Sequence, residues 1–238
     1  MVMLSDASFW VALGNIILVN IVLSGDNAVV IAMAARTLPH DQQKKAVLYG
    51  SAGAIVMRIM LTIFALQLLT LPYLKLVGGV LLFWIGLQLL VEEEEGDQVK
   101  HHATLWDAIR TILIADLVMS LDNVLGVAAA AKGNVPLLIM GLAISIPLII
   151  FGSSLILKLM ERFRIIIILG AGLLGYLSGD MLFSDPVAEP WMTAHFPHHD
   201  LLVAGTGMSF SIPGLCGALL LLVLGHWWAA RQMRAAAD

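Results

Sequence analysis

Two stretches of this chain decide its architecture: Asn20-Ile21-Val22-Leu23-Ser24-Gly25-Asp26-Asn27 and Asp116-Leu117-Val118-Met119-Ser120-Leu121-Asp122-Asn123. Each lies inside a long apolar run, and each carries Ser-x-Asp-Asn. The match continues from Ala32–Arg36 onto Ala128–Lys132, so that seven of the 17 positions from 20 to 36 are identical at an offset of 96. Apolar bias does not duplicate a carboxylate, an amide and a hydroxyl in register. The chain therefore reads as an internal duplication.

The surrounding composition sets the solvent. Of 238 residues, 60% are hydrophobic and 13% charged, with mean hydropathy +0.92. A soluble domain would carry about a quarter charged residues. The pattern predicts an all-α, polytopic membrane protein, a single membrane domain over 1–238. Seven spans are expected, roughly 10–35, 48–69, 72–91, 106–131, 135–157, 164–183 and 207–230. Pro147 and Pro213 fall inside the fifth and seventh, where kinks are expected. The duplication makes 10–91 and 106–183 two three-helix repeats, with 207–230 a seventh helix. Three spans per repeat is odd, so the repeats are inverted, an architecture of transporters whose sites lie where the halves meet.

Basic residues orient the chain. Arg36, Lys44, Lys45, Lys100, Arg110, Lys158, Arg162, Arg164, Arg231 and Arg234 fall on one side and only Lys75 and Lys132 on the other. This asymmetry predicts an N-out, C-in topology, with 184–206 an extracytoplasmic loop. Its prolines predict an irregular loop, and His195, His198, His199 and Asp200 in it are metal-ligand residue types. The net charge of −4 gives no reason to expect nucleic acid. No basic n-region precedes the first span, so no cleavable signal peptide is expected.

Asp26, Asn27, Asp116, Asp122, Asn123 and Asp180 lie within expected spans, and Arg58 lies mid-span in the second. An ionised group at the bilayer centre costs about 2.5–3.5 kcal/mol on insertion scales, so these groups must face one another or a wet cavity. Asn20, Ser24 and Asn27 share a helix face, as do Asp116, Ser120 and Asn123. Gly25, and Gly126 in the second repeat, are places for local unwinding. Carboxylate, amide and hydroxyl oxygens are hard donors that suit Mn²⁺, Ca²⁺ or Mg²⁺. Intramembrane Asn and Ser also glue helices together, and Arg58 paired with one Asp would be a structural bridge. Asp180, near the end of its span, suits an interfacial role as well as a site role. With no nucleophile–base set and no phosphate loop, no enzyme is expected.

These same residues carry a likeness. Ser24-Gly25-Asp26-Asn27-Ala28-Val29-Val30 and 116–123 resemble the paired signatures of the TerC family of integral membrane proteins, and Gly50-Ser51-Ala52-Gly53-Ala54-Ile55-Val56-Met57-Arg58 is similar to that family's second span. The length resembles the short, seven-span YjbE-like branch. The resemblance covers roughly 10–183 and implies kinship with the LysE-like transporter superfamily. It implies Mn²⁺ efflux from the bacterial inner (plasma) membrane, with Asp26, Asn27, Asp116, Asp122 and Asn123 as metal residues; Asn20, Ser24, Arg58, Ser120 and Asp180, read above from their place in the spans, would support them. The transported ion is then Mn²⁺, with Ca²⁺ open, and no organic cofactor is implied. An amino-acid exporter on the same scaffold stays open. So does a non-transporting partner that supplies metal to secreted enzymes through secretion machinery, or a homo-oligomer.

Overall fold

The structure is a computed structural model that describes residues 7–22, 24–68, 71–95, 104–131, 135–196, 200–202 and 209–235. It is almost wholly helical: α1 (Ala7–Val22), α2 (Gly25–Arg36), α3 (His40–Leu68), α4 (Leu74–Glu95), α5 (Leu105–Ala131), α6 (Val135–Arg162), α7 (Ile165–Phe183), α8 (Glu189–His195) and α9 (Ile212–Ala235). A two-stranded antiparallel ribbon joins β1 (Asp200–Leu202) to β2 (Ser209–Ser211). Among the described residues, five helical stretches are long and apolar enough to cross a bilayer: His40–Phe64, Leu74–Glu92, Pro136–Arg162, Ile165–Phe183 and Ile212–Gln232. The protein is a polytopic, all-α membrane protein.

The other two expected spans differ in kind. The first is divided into α1 and α2, meeting at Ser24 and Gly25. Ser and Gly are weak helix formers, and the chain breaks where they adjoin. The fourth is the unbroken α5, which runs straight through Gly126, so the unwinding expected there does not occur. Pro213 falls in the first turn of α9, at the start of the Ile212–Gln232 stretch rather than in its interior. A missing N–H costs nothing in that position.

The chain forms two compact units, each discontinuous in sequence. One comprises Met1–Thr70 and Ala103–Leu159, hence α1, α2, α3, α5 and most of α6. In it α3 lies against α5 along a stripe of small residues. A Cβ on Gly50 would come within 2.7 Å of Ile112, and one on Gly53 within 2.8 Å of Leu113. Gly50, Ala54 and Arg58 recur every four residues and so line one face of α3. Ile112, Asp116 and Ser120 do the same on α5. Close approach at Gly50 thus brings Arg58 within reach of Asp116. Helix α2 is apolar on nearly every side, and Val30, Ile31, Ala32, Met33, Ala34 and Ala35 are all buried.

The second unit comprises Leu71–His102 and Met160–Asp238, with α4, α7 and α9 packed together. Backbones nearly touch between α7 and α9: a Cβ on Gly175 would sit 2.7 Å from the Gly217 carbonyl, and Gly179 lies against Pro213. Such small-residue seams are how membrane helices associate where apolar burial drives nothing. The Ser178 hydroxyl donates to the Gly79 carbonyl of α4 at 2.7 Å.

The expected irregular loop 184–206 is in part ordered. Pro190 opens α8, where proline is preorganised for a first turn. The buried carboxylate of Asp185 accepts the amides of Val187 (2.9 Å), Leu76 (3.2 Å) and Tyr73 (3.4 Å), and so caps α4 from across the unit. Tyr73 takes a left-handed φ of 67°, an uncommon conformation for a tyrosine, and Asp185 holds it there.

Candidate functional site

Arg58 is the largest fully buried side chain described, 2% exposed. A buried guanidinium must spend its donors on acceptors, and here it does. Nε donates to Ser120 Oγ (3.0 Å). Nη1 donates to Asn20 Oδ1 (3.0 Å) and to Ser24 Oγ (2.7 Å). Nη2 forms an ion pair with Asp116 Oδ1. Ser120 Oγ donates to the second oxygen of Asp116 (3.1 Å), and Ser24 Oγ to Asn20 Oδ1 (3.4 Å).

These four partners are not arbitrary. Asn20 and Ser24 occupy in the first repeat the positions that Asp116 and Ser120 occupy in the second. One arginine therefore clasps equivalent i, i+4 pairs from both copies of the motif. The duplication seen in sequence becomes a shared polar cluster among α1, α3 and α5. The cluster is internally well satisfied, but Asn20 Nδ2 has no hydrogen-bond partner among the described residues.

Asp26 and Asn27 lie in the first turn of α2, just past the helix break. The Asp26 carboxylate is half-buried and takes the amide of Asn27 at 2.7 Å. The first turn of a helix presents unpaired N–H groups that favour a carboxylate. Asp26 follows Ser24, an Arg58 partner, by two residues. Asn27 is buried and Asn123 half-buried. The side chain of Asp122 lies outside the described residues, as do His198 and His199. Among the described residues, no three His, Cys, Asp or Glu side chains are grouped so as to hold a metal ion.

Asp180 belongs elsewhere. It lines a cavity of about 400 Å³ in the second unit together with Lys75, Glu189, Asp200 and Ser211. His195 stacks on Trp191, with ring centroids 4.8 Å apart. Asp185, which the sequence reading did not single out, is the buried carboxylate of this region. Its only sequence signal is the Asp-Pro pair that follows α7.

The chain is 44% identical to the uncharacterized membrane protein YjbE of Bacillus subtilis over 190 residues, covering 80% of this chain and 87% of that one. It is 30% identical to the membrane protein YceF of the same organism over 153 residues, or 58% of each chain. To the inner membrane protein YgdQ of Escherichia coli it is 29% identical over 178 residues, 67% of this chain and 74% of that one. No solved structure matches the chain. The model of the integral membrane protein TerC family matches residues 5–232; with the likeness to YjbE, this shows that the chain belongs to the TerC family.

Proposed function

We propose that this protein exports a divalent cation, Mn²⁺ foremost, across the bacterial inner membrane, by alternating access about the place where its two repeats meet. In this reading it has seven spans, N-out and C-in, with the broken α1–α2 element counted as one. The cation is the substrate, taken by Asp26 and Asn27 of the first repeat and Asp116, Asp122 and Asn123 of the second. The observation that carries this reading is the Arg58 cluster. It draws equivalent positions of both motif copies together, and Asp26 follows Ser24 in the first turn of α2, at the helix break. Broken helices that bare backbone groups beside buried carboxylates are how inverted-repeat carriers build cation sites.

The ten-to-two basic asymmetry supports the orientation. The inner membrane is also where YgdQ, by its name, resides. Arg58 weighs against an amino-acid substrate. Its hydrogen bonds to Ser120, Asn20, Ser24 and Asp116 use four of its five N–H donors, leaving no bidentate edge for a substrate carboxylate. Purified protein in liposomes should move Mn²⁺ down an imposed gradient, and Asp26→Ala or Asp122→Ala should abolish the flux. Undiminished flux in both variants sinks the site.

A further inference from the structure

We propose that Arg58 is a tethered counter-cation, which holds Asp116 while the site lacks substrate and which the substrate cation must displace. The proposal rests on the cation-transport reading and names what that reading leaves out, namely the event that switches the site between empty and loaded.

Three observations support it. First, both oxygens of Asp116 are already engaged, one by the Arg58 guanidinium and one by Ser120 Oγ. A divalent cation that takes Asp116 as ligand therefore competes with Arg58 and Ser120 for its oxygens. Second, Arg58 reaches Asp116 on α5 and also Asn20 and Ser24 on the first repeat, so its hydrogen bonds tie the two motif copies together. Releasing the arginine loosens the grip of one repeat on the other, which is what alternating access about their junction requires. Third, the duplication is asymmetric at this point: Asn20 stands where Asp116 stands in the other copy. With one carboxylate and one amide facing it, Arg58 neutralises the pair completely. With two carboxylates it would leave a buried negative charge.

The substrate brings two positive charges to a region that then holds Asp26 and Asp116. Asp26, Asp116 and Asp122 against the tethered Arg58 leave the empty site at a formal −2, and a divalent cation brings the loaded site to neutral. Asp116 is paired in both states, with Arg58 before loading and with the cation after it, so this carboxylate never carries the penalty of an unpaired buried charge. The arginine and the cation compete for Asp116. By linkage, removing the competitor tightens cation binding.

The test measures MnCl₂ binding and Mn²⁺-dependent thermal stability on the full chain in detergent, for wild type, Arg58→Gln and Arg58→Gln/Asp116→Asn. Arg58→Gln is expected to bind Mn²⁺ at least about ten-fold more tightly than wild type, to gain more in melting temperature from Mn²⁺, and to release the ion too slowly for normal flux in liposomes. The double variant should lose that gain. If Arg58→Gln does not fold without added ion, Mn²⁺ throughout purification should rescue it and Na⁺ should not; failure of rescue overturns the proposal. Equal or weaker Mn²⁺ binding by a folded Arg58→Gln overturns it too, and leaves cation transport standing if wild type still binds. Wild type that binds no divalent cation removes both readings together.

Discussion

The two copies of the Ser-x-Asp-Asn motif share their polar residues yet build different structures. In 20–27 the helix stops at Val22 and starts again at Gly25; in 116–123 it runs unbroken from Leu105 to Ala131. The residue between Ser and Asp separates them. Gly25 gives the chain little reason to stay helical and Leu121 a strong one, and the Leu121 side chain is buried. The charge separates them as well, since Asn20 answers Asp116. The lesson is that one signature can supply two unlike half-sites. One is a helix N-terminus with a half-buried carboxylate. The other is a rigid helix whose carboxylate is locked to an arginine.

The largest expected effect comes from moving that carboxylate. Asp116→Asn alone should destabilise the protein by about 3–5 kcal/mol, because it strands the buried Arg58 charge. Adding Asn20→Asp returns a carboxylate to the other side of the same guanidinium and should recover most of the loss. Unfolding of the single and double variants in denaturing detergent measures both. A double variant no more stable than Asp116→Asn would break the equivalence of the two halves at Arg58.

Next comes the helix break. Leu121→Gly writes the first half into the second and should cost roughly 3–5 kcal/mol, combining a lost buried side chain with glycine's poor helix propensity. Gly25→Leu writes the second half into the first. A Cβ at Gly25 meets nothing within 4 Å, so stability should hold or rise by up to about 1 kcal/mol, while Mn²⁺ flux in liposomes should fall as the N-terminus of α2 is absorbed into a longer helix. Full flux with a healed helix would mean that the break is incidental.

The smallest effect lies outside both halves and serves as their control. Burial acts to raise the Asp185 carboxyl, but the amides of Val187, Leu76, Tyr73 and Lys75 outweigh it and hold it below its ordinary value. A carboxyl lowered on folding stabilises above its unfolded pKa of about 3.9, and that contribution is lost as pH falls through the folded value. Melting temperature should therefore drop in acid more steeply for wild type than for Asp185→Asn. The Mn²⁺-dependent increment at neutral pH should be the same in both.

Much of this was legible in sequence because apolar chains make every polar residue conspicuous. The duplication, the membrane setting, the mid-span arginine and the weak point at Gly25 all stand out against a background of Leu, Ile and Val. Local patterns could not show which oxygen Arg58 takes, because that depends on how closely α3 approaches α5 at Gly50 and Gly53. Sequence offered Arg58 a pairing with one Asp without saying which; Asp116 is that partner, engaged on both oxygens. The division into two discontinuous units, the Gly175–Gly217 approach and the Asp185 cap all join residues far apart in the chain, where no periodicity reaches. Proline spacing suggested an irregular loop over 184–206, yet Pro190 serves to start a helix.

The glycine seam of α7 and α9 also has a meaning in time. Exposed side chains change rotamer in picoseconds to nanoseconds. Between Gly175 and Gly217 there are no side chains to turn, and backbone meets backbone. These two helices can part only by moving as whole bodies, in microseconds or longer. The seam filters out fast motion, and whatever the second unit does, α7 and α9 must do it together.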